Sequence, residues 1–227
     1  VKRRLFAGIL VLLALGFAAL GIWQMERRTW KLELIARVET RIHAPPRPVD
    51  AREPFTAGDA YTRVTAQGIL LDDRETLVQA VTDRGPGWWV MTPLQTSTGV
   101  ILINRGFVPD ERRDPSTRPR DNPDQPTTIT GLLRASEPGG GFLRANDPAA
   151  DRWFSRDTAA IGRARGLSPV ASFFIDADAT PNPGGYPIGG LTVVNFRNAH
   201  LVYALTWFGL AVLCLFGAWV VLRRKGE

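Results

Sequence analysis

The sequence predicts a membrane protein in which two transmembrane α-helices, an N- and C-terminal hairpin, flank a mainly antiparallel β (α+β) extracytoplasmic domain. Three observations carry that prediction. Residues 5–23 (LFAGILVLLALGFAALGIW) and residues 201–222 are apolar runs without a charge, each close to the roughly 20 residues that cross a hydrocarbon core as helix. All seventeen prolines fall between Pro45 and Pro187, so neither run holds a helix breaker. The segments between them alternate like strands and are punctuated by Gly, Pro, Asp and Ser.

The elements follow in order. Residues 1–4 carry Lys2, Arg3 and Arg4 and are expected on the cytoplasmic side. They could also form the n-region of a cleaved signal peptide, with Ala19-Leu20-Gly21 as a weak cleavage site. However, the 5–23 run exceeds the usual h-region of ~7 to 15 residues, and Trp23 at its end suits an aromatic belt. Residues 24–43 keep apolar side chains at 30, 34, 38 and 42, a helical spacing that continues the span. The helix should stop before His43-Ala44-Pro45-Pro46.

Residues 44–190 form the outer, periplasmic domain. YTRVTAQGILL, ETLVQAV, WWVMTPLQ, VILINRGFV, TTITGLLR and SFFIDAD read as strands, with short turns at 83–87 and 96–99. Residues 44–60 read as a linker or an edge. Residues 110–126 are polar and proline-rich and are expected to be a mobile excursion. A short helix is expected over 156–165, with Gly166 after it. Residues 191–200 return the chain to the second span at 201–222. Residues 223–227, with Arg223, Arg224 and Lys225, mark a second cytoplasmic end.

The formal net charge of +6 lies partly in these flanking clusters, where it serves topology and contact with the lipid bilayer rather than nucleic acid. The lone Cys214 lies inside the second span, so the outer domain must fold without disulfides and offers no thiol for copper. No G-x-S-x-G, H-E-x-x-H, Walker loop or C-x-x-C motif is present. The carboxylates Asp110, Glu111 and Asp114 read as solvated. A non-enzyme is therefore expected, with a membrane-tethered hydrolase as a poorly supported rival.

Only two histidines exist. His43 reads as a solvated loop residue. His200 heads the second span, and His200, Tyr203, Ala204, Trp207, Ala211 and Cys214 follow helical spacing along one face. Ala7, Ala14, Ala18 and Gly21 line up likewise on the first span, so the two helices either pack or leave a slot for something flat. At ~1.5 Å per residue His200 stands roughly 35 Å from Arg223, near the outer interface. Two readings stay open: an interfacial polar residue that caps the span or bonds to Gln24, or an axial ligand of the kind haem iron takes. Trp23, Gln24, Arg27, Trp30 and Lys31 read first as a belt of aromatics and snorkelling cations.

GIWQMERRTWK at 21–31, GPGWWVMTPL at 85–94, VILINRGFVP at 100–109, NDPAADRWFSRD with FFIDA, and PIGGLTVVNFRNAHLVYALTWFGLA at 187–211 resemble the surfeit-locus cytochrome c oxidase assembly factors, in the same order. The resemblance implies two spans, both termini inside the bacterial inner membrane, and a role in maturing subunit I of haem-copper oxidase. Haem a is the implied cofactor, and oxidase subunit I and haem a synthase are the implied partners. His200, in the family's N-x-H-L-x-Y motif, becomes the implied metal ligand, with Tyr203, Trp207, Trp23, Gln24 and Arg197 around the cofactor. Many members carry glutamine and arginine on either side of the threonine after the paired glycines. Here those positions are Leu191 and Val193, which leaves Arg197 and Arg105 as the implied propionate partners. A scaffold that stabilises an oxidase intermediate without touching haem is the alternative function.

Overall fold

The computed structural model describes residues 2–119, 125–141, 143–194, 196 and 198–223. The chain divides into two compact units, residues 1–37 with 194–227, and residues 38–193.

The first unit is a pair of long helices. Helix α1 covers Lys2–His43 in 42 residues and stops where Pro45 and Pro46 forbid another turn. The C-terminal helix, α3 (His200–Arg223), is the second apolar one, and both are long and apolar enough to cross a membrane. Their exposed residues are the large ones, among them Leu5, Leu12, Leu15, Val202, Leu205 and Leu213, whereas Ala7, Ala14, Ala204, Ala211 and Ala218 are buried. An alanine stripe inside and a leucine face outside invert the pattern of a water-soluble helix pair and match helices that meet lipid.

Contacts run antiparallel along the pair. The Arg3 guanidinium donates to the Val221 carbonyl at 2.9 Å. Gly217 lies beside Leu10, and Gly21 faces the ring of Phe208 so closely that a Cβ would stand 2.5 Å from it. Phe17 stacks on Trp207 with ring centroids 5.6 Å apart. The expected slot is therefore filled by the protein's own rings.

The second unit is built on nine strands and one short helix. They are β1 (Arg47–Pro48), β2 (Arg63–Leu70), β3 (Thr76–Thr82), β4 (Gly85–Gln95), β5 (Val100–Val108), β6 (Thr127–Ala135), β7 (Gly140–Gly141), β8 (Arg144–Ala145) and β9 (Val170–Ala177), with helix α2 (Thr158–Ala164) before β9. The seven-stranded sheet runs β1-β2-β6-β9-β5-β4-β3, and β2 also pairs with β4. Five strands, β2, β6, β9, β5 and β4, thus close into a partly open Greek-key barrel. Pairing is mainly antiparallel, as the sequence predicts, but β5 and β9 run parallel, joined through β6 and α2. Val64, Leu94, Ile101, Ile103, Phe173 and Ile175 fill the interior, while Val78, Met91, Leu102, Trp153, Ile161 and Phe174 form a second core beside it. Strand β5 is buried along its whole length, which explains its near-continuous apolar run.

Two expectations need correction. The described part of the 110–126 segment is two anchored 3₁₀ turns, Asp110–Arg112 and Pro115–Thr117. Arg118 is only 7% exposed and its guanidinium grips Glu75 at 2.5 Å, while the Trp88 indole donates to Asp110. A buried fork-to-carboxylate pair holds polar sequence against a sheet. Residues 120–124 of the expected excursion lie outside the described residues, as do Arg224 and Lys225. His43, in turn, is the last residue of α1 rather than a loop residue, with Nδ1 2.9 Å from the Glu39 carbonyl.

Candidate functional site

Gln24 and His200 meet where α3 begins. His200 Nδ1 lies 2.8 Å from Gln24 Oε1. With Gln24 Oε1 as the acceptor, Nδ1 is the donor, and in the corresponding neutral tautomer the lone pair lies on Nε2. A ring held at one nitrogen and basic at the other is the arrangement that metal-ligating histidines use. Of the two readings of His200 offered by the sequence, the bond to Gln24 is present.

The remaining sequence-predicted residues divide. Trp207 points inward to Phe17. Tyr203 is 56% exposed and Trp23 51%, because the inward stripe of α3 runs 200, 204, 207, 211, 214 and 218, in alternating steps of four and three that pass Tyr203 by. These two rings flank the pair without joining its interior. Arg197 lies outside the described residues. Around them, Arg27 sits over the Trp30 ring at 4.7 Å and Lys31 over Phe196 at 5.3 Å. Asn198 Oδ1 is buried with no hydrogen-bond partner. For haem a as cargo, His200 and the exposed rings fit, whereas the filled space at Trp207 and Phe17 does not admit a flat group between the helices.

Arg105, the other expected propionate partner, is engaged within the barrel unit. It is 7% exposed and donates to Asp72 and to Asn182, both at 2.9 Å. Its charge is spent inside the barrel unit.

That unit holds a polar centre that sequence reading misses. Asp176, 4% exposed, stands in β9 between β5 and β6, opposite Asn104 on one side and Leu132 on the other. Its Oδ1 accepts from Asn104 at 2.8 Å and Arg156 at 3.2 Å, and its Oδ2 from Arg134 at 2.6 Å and Thr192 at 2.9 Å. Arg156 also forms a fork with Glu137. Burial pushes the Arg156 guanidinium down, but its bonds to Glu137 and the nearby carboxylate charges outweigh this and hold it above its ordinary value. Burial likewise pushes Glu137 up, and Arg156 overrides it, holding the carboxyl below the usual carboxylate range.

Glycines let the backbone close over this centre. Phe107 and Ile188 exchange two backbone hydrogen bonds at 2.9 Å, and at Gly106, with φ +130°, a Cβ would meet the Ile188 carbonyl oxygen at 2.1 Å. The INRGF and PIGG stretches, over eighty positions apart, therefore pair directly. The PIGG strap carries Thr192 to Asp176. Leu191 and Val193 line the cleft beside it, together with Trp89.

The SURF1 family model matches residues 11–212 of the chain. The chain is 35% identical to Surfeit locus protein 1 of Homo sapiens, over 89% of this chain and 73% of that protein. It is 36% identical to the protein of the same name from Mus musculus, over 84% and 67%. It is also 36% identical to a SURF1-like protein of Monosiga brevicollis, over 91% and 83%.

Proposed function

The chain belongs to the SURF1 family, and from that premise we propose that it is a non-enzymatic assembly factor for haem-copper oxidase, holding haem a for subunit I. Two spans anchor it in the bacterial inner membrane, with both termini cytoplasmic and the barrel unit periplasmic. The cationic residues at both ends support this topology. A periplasm-dependent reporter should work within the 110–126 segment and fail after Glu227.

The observation that carries the haem reading is the His200–Gln24 pair, 2.8 Å apart. Gln24 orients the ring and fixes the proton on Nδ1, so Nε2 is the atom that would meet the iron. Tyr203 and Trp23 supply exposed aromatic surface for the macrocycle. Bound haem a would bring iron that accepts one more nitrogen ligand, and the oxidase subunit and haem a synthase are the partners between which such a carrier stands.

The test compares substitutions in protein purified from cells that make haem a. His200→Ala should remove the haem while leaving the membrane level of the protein nearly unchanged. Gln24→Leu should retain a reduced amount, because it frees the ring without deleting it. Equal haem and equal spectra in wild type and His200→Ala would refute the ligand role. The haem-independent scaffold draws on one observation, the Phe17–Trp207 stack that fills the space between the helices. It predicts oxidase assembly that persists in His200→Ala.

A further inference from the structure

The Asp176 centre opens onto a cleft of about 200 Å³ that includes Trp89, Arg134, Arg156 and Thr192 in its lining. A second groove of about 660 Å³ shares Trp89 and residues 190–193 with it and reaches Val81. Hydrogen-bond accounting decides what the cleft lacks. Asp176 already accepts from four donors, and both Glu137 oxygens are taken by Arg156. Arg134 has five N–H groups and, among the described residues, donates through the one bond to Asp176, its face lying 5.0 Å from the Tyr61 ring centroid. Its side chain is 20% exposed and lines the cleft. The smaller cleft thus offers donors and no spare carboxylate oxygen, and the adjoining groove adds Asp83 and Arg84 at its far end.

Apolar surface continues from those donors. Trp89 lies on the shared wall, and Val81 and Val193 are 83% and 72% exposed. Such large exposure of valine beside a guanidinium suits a ligand with a charged head and an apolar body.

We propose that this cleft binds a carboxylate carried on an aromatic or aliphatic body, with the carboxylate on Arg134 and the body along Trp89, Leu191 and Val193. The planar guanidinium receives two carboxylate oxygens side by side, and Asp176 at its back holds it in place. The carboxylate can come from a free organic acid or from the C-terminus of a protein chain. Neither source depends on haem at His200.

The probe is benzoate, titrated into the full chain in mild detergent and followed by saturation-transfer NMR, with isosteric benzamide as the uncharged control. Benzoate should saturate, with benzamide at least about tenfold weaker. Arg134→Gln should weaken benzoate about tenfold. Val193→Glu places a like charge at the exposed mouth and should weaken it severalfold with an unchanged unfolding midpoint, so it decides the matter if Arg134→Gln fails to fold. His200→Ala should leave the titration unchanged even where it abolishes haem. A phenylalanine-ending tripeptide that competes only with its C-terminus free assigns the site to chain ends, and its failure beside intact benzoate binding assigns it to free acids. Equal binding of benzoate and benzamide, or benzoate binding untouched by Val193→Glu, overturns the proposal.

Discussion

The two units bury opposite things. The helix pair buries alanines and shows its leucines, while the barrel unit buries aromatics and Asp176, the centre of an ion network with Arg134, Arg156 and Glu137. The contrast follows from solvent. The helix pair has the pattern that lipid would impose, where large apolar side chains gain nothing by hiding and small residues take the interface. In water the barrel must hide its aromatics, and it can bury Asp176 only because four donors meet it.

The largest break in that contrast should come from Asp176→Ala, which takes from Arg134 its carboxylate partner and leaves Arg156 with Glu137 alone. Loss of one partner from such a network costs roughly 3–5 kcal/mol, read as a fall in the denaturant midpoint of the barrel unit while the helix pair keeps its helical dichroism. Gly106→Val comes next. It places a Cβ at 2.1 Å from the Ile188 oxygen in backbone with φ +130°, and such strain costs about 1–3 kcal/mol. The strap that carries Thr192 should loosen, as shown by faster amide exchange at Phe107 and Ile188. Gly21→Val is milder, because the atom it strikes belongs to the ring of Phe208, which can swing. Overpacking of about 1–3 kcal/mol should be felt in the helix pair alone, by a crosslink between α1 and α3 that forms more slowly.

Acid sharpens the contrast further. Glu137 titrates lower in the folded protein than in the unfolded chain, so its pair with Arg156 stabilises fully above the unfolded carboxylate value, about pH 4.3. That contribution is lost as pH falls from there through the folded value. Glu137→Gln should therefore flatten the acid limb of the unfolding curve. A limb as steep as that of wild type would place the acid sensitivity elsewhere.

What the sequence disclosed was local. Pro45 and Pro46 end α1, Gly166 follows α2, and alternation marks β2 through β6 and β9, because each signal lies within a few residues of what it shapes. The Gln24–His200 bond was open to inference because two spans of known length put both residues at one depth. The Asp176 cleft was hidden, since Asn104, Arg134, Arg156 and Thr192 reach it from 72, 42, 20 and 16 positions away. Its one local trace was a carboxylate inside the apolar run FFIDA, which only a paired burial explains. The parallel β5–β9 pair was hidden for the same reason. Tyr203 was placed on the inward face because three-residue and four-residue steps are equally helical on paper, while only the packed stripe selects between them.

The central claim is that the His200 imidazole, oriented by Gln24, holds haem a. It is tested most directly by the absorption spectrum of the full chain, purified in mild detergent from cells that make haem a. A Soret band should co-purify with the protein and disappear in His200→Ala. A protein that purifies folded and colourless from those cells would contradict it.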